Sequence, residues 1–163
     1  MLNYKSFGQG EPIVILHGLF GTLDNWQTIG KQLAEHYTVF LVDQRNHGRS
    51  PHLEGHTYPL MAQDLNQFLE DQWIYEATIL GHSMGGKTAM QFAMDYPDRI
   101  QKLIVVDIAP KPYIGGHELI IDALTKFPLP TIKDRTQAAE TLEQLGIADA
   151  GVRLFLLKNL SRT

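Results

Sequence analysis

The residues best equipped for covalent chemistry are Gly81-His82-Ser83-Met84-Gly85-Gly86. A serine set in a sharp turn between a strand and a helix holds its hydroxyl clear of the backbone, where it can attack a carbonyl carbon. Such a turn strains the serine backbone, and the positions two before and two after it approach other backbone so closely that only very small side chains fit. Gly81 and Gly85 meet that requirement. A helix starting after Ser83 would aim its free N–H groups and positive dipole end at the same spot, which favours anionic intermediates. A second glycine turn, His17-Gly18-Leu19-Phe20-Gly21, follows an earlier apolar run. The N–H of Leu19, or next that of Phe20, would join the N–H of Met84 in facing a carbonyl oxygen as it becomes negative. Each such donor lowers the barrier by about 2.7–4 kcal/mol. His17 itself is expected to hydrogen-bond loop backbone rather than to act in catalysis.

These groups need a scaffold, and the rest of the sequence describes one. Apolar runs of strand length alternate with stretches of helical period, the pattern of βαβ units around a mostly parallel sheet. Strands are predicted over Pro12 to Leu16, Thr38 to Val42, Ala77 to Gly81 and Lys102 to Val106. Helices are predicted from about Asp24, as N-cap, to Glu35, from about Pro59 to Gln72, and after Ser83 until Pro97 stops it. The second of these would bury Met61, Leu65, Phe68 and Leu69, and the third Ala89, Phe92, Ala93 and Tyr96, each set lying on one helical face. Asp107 stands at the C-terminal end of the last strand, where open parallel sheets place functional groups. Beyond Pro110 three helical patterns follow, over residues 116–126, 132–145 and 150–160. The expected division is therefore a core of residues 1–110 and a helical cap or lid of residues 111–163.

Composition narrows the function classes. The 163 residues are 44% hydrophobic and 20% charged, enough for a real core. Eighteen acidic and fourteen basic residues give a net charge of -4 without long like-charge runs. No nucleic-acid or membrane partner is expected, and the partner class is small molecules. The N-terminal residues carry no basic segment followed by an apolar one, so a cytoplasmic location is expected. The absence of cysteine excludes thiolate catalysis and cysteine-based metal sites. His47, His52 and His56 fit no standard metal spacing, so no metal is expected. Asp43 and Arg45, beside Gly48 and Ser50, are expected to buttress their loop, and Lys87 to be a solvated surface lysine.

Four segments carry a resemblance: Ile15 to Trp26 (ILHGLFGTLDNW), Asp43 to Ser50 (DQRNHGRS), Leu80 to Thr88 (LGHSMGGKT) and Leu103 to Pro110 (LIVVDIAP). Together they resemble the α/β-hydrolase superfamily, in particular its small bacterial esterase and acyl-CoA thioesterase branch. The resemblance implies a serine, acid, histidine triad in that chain order, with Ser83 as nucleophile and Asp107 as acid; an Asp at this position can alternatively cap the turn that follows. It also implies a histidine after the last strand of the sheet, which this sequence does not reach; losing that base costs roughly a millionfold in kcat. The chain is therefore expected to be a portion of a longer enzyme, missing C-terminal strands and inert alone, with its last strand exposed as a sheet edge. Implied substrates are short-chain esters and acyl-CoA thioesters, cleaved through an acyl-serine without a cofactor. Phe20, His82, Phe127, Leu154 and Phe155 are the expected pocket residues. Two other readings remain open: a C–C hydrolase or lyase on the same fold, and an inert binding homologue.

Overall fold

The computed structural model describes residues 1–113 and 115–160, which cluster into two compact units, Met1–Pro110 and Lys111–Thr163. The first unit is built on a five-stranded sheet of β1 (Tyr4–Phe7), β2 (Glu11–Leu16), β3 (Tyr37–Val42), β4 (Ala77–His82) and β5 (Ile100–Val106). The spatial order is β1-β3-β2-β4-β5, with β1 antiparallel to β3 and every other pairing parallel. Three helices complete this unit: α1 (Gln27–Leu33), α2 (Tyr58–Asp71) and α3 (Met84–Asp95). The α/β class with a mostly parallel sheet flanked by helices is thus the one expected.

Side chains of β2 alternate between two cores because successive residues of a strand point to opposite faces. Val14 and Leu16 join Leu65, Phe68 and Leu69 of α2 and Ala89 and Phe92 of α3. Ile13 and Ile15 join Leu23, Val39, Leu41 and Leu80 on the other face. A strand buried on both faces must be apolar throughout, which is why β2 reads as a continuous run rather than an alternation. The expected faces of α2 and α3 are those that turn inward: Met61, Leu65, Phe68, Leu69, Ala89 and Phe92 are buried, and Ala93 and Tyr96 half-buried. At the sheet edge Leu103 and Ile104 of β5 are exposed at 40% and 39%.

Two elements depart from expectation. Strand β1 was not predicted; it has only four residues, two of them the polar Lys5 and Ser6, and is held by cross-strand pairing and by Tyr4 packing on Phe40 and Phe68. The helix expected from Asp24 begins instead with a 3-10 turn, Leu23–Trp26, whose N-cap is Thr22. Thr22 is extended, its hydroxyl accepts from Asp24 N–H, and Asn25 Oδ1 accepts from Thr22 N–H at 2.7 Å, a reciprocal capping box. Asp24 turns outward to Lys5 Nζ at 2.8 Å.

The second unit contains α4 (Glu118–Lys126), α5 (Arg135–Gln144) and α6 (Ala150–Leu156). These are shorter than the periodic stretches because caps define them. Gly115 and Gly116 take left-handed φ of 73° and 108°, which keeps them out of α4. Asp134 and Asp149 accept from Gln137 and Val152 N–H, each at 2.8 Å, and start α5 and α6. No helix among the described residues is long and apolar enough to cross a membrane.

Candidate active site

His17, Asp43, Ser83 and Asp107 each directly follow the last residue of a strand: β2, β3, β4 and β5. Those four strands are neighbours and parallel, so the four residues gather at one end of the sheet. Ser83 forms the turn from β4 into α3 with φ 52° and ψ -116°, a conformation rarely taken by a residue with a side chain. A Cβ on Gly81 would overlap the Gly85 carbonyl, and one on Gly85 would overlap the Leu16 carbonyl, which is the physical reason for both glycines. Backbone bonds hold the turn on either side: Ser83 N–H donates to Val106 O at 3.0 Å, and Lys87 N–H to Ser83 O at 3.1 Å. Lys87 is half-buried rather than fully solvated.

The turn of His17 to Gly21 passes beside the serine. A Cβ on Gly18 would lie 3.4 Å from Ser83 Cβ and 3.1 Å from His82 Nδ1, and Gly21 N–H closes the turn on Gly18 O at 3.0 Å. Phe20 is left-handed at φ 59°, so Phe20, Ser83 and Asp107 (φ 55°) are three of the five non-glycine residues with positive φ among those described. The expectation for Phe20 needs correction: its N–H donates to His47 Nε2 at 3.2 Å. The N–H groups of Leu19 and Met84 have no acceptor among the described residues.

Two buried histidines join this turn to the loop after β3. His17 Nδ1 donates to Gly18 O at 2.8 Å while its Nε2 accepts Gln44 N–H at 3.0 Å. His47 repeats the pattern in reverse, with Nδ1 donating to Arg45 O at 2.9 Å and Nε2 accepting from Phe20. The rings lie 5.1 Å apart. Both partner sets demand the neutral imidazole with its proton on Nδ1. Burial pushes His17 down to about 4 and holds His47 below the ordinary histidine range. Sequence reasoning gave His17 a backbone role and weighed His47 only as a metal ligand. The signal that could have paired them is the repeated His-Gly, His17-Gly18 after one strand and His47-Gly48 in the loop after the next.

Asp43 and Arg45 do buttress their loop, but not as a pair. Asp43 accepts from Leu23 N–H at 2.7 Å, Asn3 Nδ2 at 2.7 Å and Arg49 N–H at 3.0 Å. Arg45 instead grips Asp64 of α2 with two nitrogens, Nη2 at 2.8 Å from Oδ1. Among the described residues no group of three metal-ligating side chains gathers.

Asp107 is 87% exposed in its side chain, and its Oδ2 lies 3.9 Å from His82 Nε2. The His82 ring is half-buried and faces Trp26 at 6.0 Å. Of the remaining pocket candidates, Phe20 is half-buried beside the serine turn; Phe127 and Phe155, half-buried, and Leu154, 66% exposed, belong to the helical unit. His117, which alone of the histidines follows Asp107, occupies the N-cap of α4 in that unit.

Residues 11–135 match the alpha/beta hydrolase fold family. The chain is 43% identical over 150 residues to Esterase YbfF of Escherichia coli, covering 91% of this chain and 59% of that protein. It is 41% identical to the sn-1-specific diacylglycerol lipase ABHD11 of Xenopus laevis, covering 93% of this chain and 51% of that one. Among solved structures a marine microorganism esterase superposes with a TM-score of 0.96 at 44% identity, covering 99% of this chain and 64% of the other. The chain thus spans between half and two thirds of the length of these relatives.

Proposed function

The chain belongs to the alpha/beta hydrolase fold family, and from that membership we propose that the whole protein is a serine hydrolase cleaving carboxylic esters, with acyl thioesters open to the same chemistry. Ser83 attacks the carbonyl carbon, and the N–H groups of Leu19 and Met84 receive the oxyanion. Asp107 orients a histidine supplied by residues outside this sequence, which takes the serine proton and returns it to the leaving group. The acyl-serine is then hydrolysed by water. Phe20 and His82, beside the serine turn, contact the acyl group. No cofactor takes part.

The observation that carries this reading is the backbone of Ser83, left-handed between β4 and α3 with glycines packed around it. A turn of purely structural use has no need of a side chain at a position where glycine is easier. The names of the relatives, esterase and diacylglycerol lipase, favour ester substrates over C–C bond cleavage. The test is fluorophosphonate labelling of the whole protein with peptide mapping, alongside p-nitrophenyl acetate turnover. Labelling confined to Ser83, with Ser83→Ala losing roughly a millionfold in kcat, supports the reading. Undiminished turnover in Ser83→Ala overturns it.

A further inference from the structure

The loop after β2, which passes beside the serine, and the loop after β3 are joined by a reciprocal pair of bonds. Each loop contributes one buried histidine, each imidazole donates through Nδ1 to a carbonyl of its own loop, and each accepts through Nε2 a backbone N–H of the other. The His47 side is anchored further, because the adjacent Arg45 is fixed to Asp64 of α2. At the other end the bond grips Phe20, the left-handed residue immediately after Leu19. The peptide joining Leu19 to Phe20 supplies the N–H that His47 takes, so the torsions that aim the Leu19 N–H are constrained from its C-terminal side. The Gly18 carbonyl, taken by both His17 Nδ1 and Gly21 N–H, constrains them from the other side.

We infer that His47 is a positioning residue, whose uncharged Nε2 holds Phe20 so that the Leu19 N–H faces the oxyanion formed at Ser83. The inference rests on the assignment of Leu19 and Met84 as oxyanion donors made above. His47 touches no reacting atom in this account; it acts through Phe20. A proton added to Nε2 would set two donors against each other and release the turn. The titratable and charged groups facing His47 are His17 across the clasp, His56 with its ring 5.6 Å away, His52 and Arg45 in its own loop, and Asp43 at the end of β3.

The test uses the whole protein with two substitutions. His47→Gln keeps an uncharged acceptor at the tip of the side chain, and His47→Leu removes it. Three quantities are measured: kcat and KM for p-nitrophenyl acetate, the inhibition constant of a trifluoromethyl ketone whose serine adduct carries the oxyanion, and thermal unfolding. The expected result is that His47→Leu lowers kcat and weakens the ketone by the same factor, roughly tenfold or more, with KM little changed. His47→Gln should recover most of both. Equal losses in the two variants, or a folded His47→Leu with unchanged kcat and ketone affinity, would overturn the inference. Should His47→Leu fail to fold, the wild-type protein still decides: imidazole nitrogen spectra must show Nε2 of His47 unprotonated, and a proton there refutes the clasp. A wild-type protein that neither labels at Ser83 nor cleaves esters would defeat the serine hydrolase reading first, an outcome distinct from failure of the clasp alone.

Discussion

The backbone N–H of Ser83 donates to the carbonyl of Val106 at 3.0 Å, tying the residue just after β4 to the one immediately before Asp107. The serine and the aspartate therefore leave adjacent parallel strands at the same level, and both do so with left-handed backbones, φ 52° and 55°. This places an exposed carboxylate on the strand next to a strained serine, as the proposed role of Asp107 requires.

Asp107 should consequently matter to rate more than to stability. Asp107→Asn keeps the shape of the side chain but can no longer stabilise an imidazolium, and a loss of about 10⁴ in kcat is expected. Its carboxylate is 87% exposed, so the melting temperature should change little. Steady-state kinetics beside a thermal melt checks both; near wild-type kcat would mean that the acid comes from elsewhere.

Gly85→Ala should destabilise the protein by about 1–3 kcal/mol, toward the upper end because the overlapping atoms are the backbone carbonyls of Leu16 and His17 rather than a flexible side chain. Equilibrium denaturation measures this. Loss of activity should accompany it, since relief of the overlap must move either the serine turn or the neighbouring loop.

His17 makes stability depend on pH in a definite direction. Burial lowers its folded value from 6.5 to about 4, so between those values the unfolded chain binds the proton and the folded one does not. Folding is favoured most above pH 6.5 and loses on the order of 3 kcal/mol as pH falls to about 4. Unfolding midpoints across that range should fall with acidity, and the slope should flatten in His17→Gln. An unchanged slope would mean that His17 is not held neutral by burial.

The turn around Ser83 was legible because strand, glycines and helix are contiguous in the sequence and each has a local physical reason. The inward faces of α2 and α3 were legible for the same reason, through helical period. What lay hidden depends on partners distant in sequence. Nothing local indicates that Arg45 reaches Asp64 rather than Asp43, or that His47 accepts from Phe20 and so removes it from the candidate oxyanion donors. The cap at Thr22 was missed because Asp24 is an equally suitable residue type, and the choice falls to Asn25 closing the box. Strand β1 was missed because a short edge strand with two polar residues has little periodicity to read.

The most direct test of the central claim is acid-quench trapping of the acyl-enzyme. The whole protein is mixed with p-nitrophenyl acetate in excess, quenched during turnover, digested and mapped by mass spectrometry. The account predicts an added acetyl mass on the peptide containing Ser83, absent from Ser83→Ala. Steady turnover with the acetyl group on another residue, or with no covalent adduct and undiminished activity in Ser83→Ala, would contradict it.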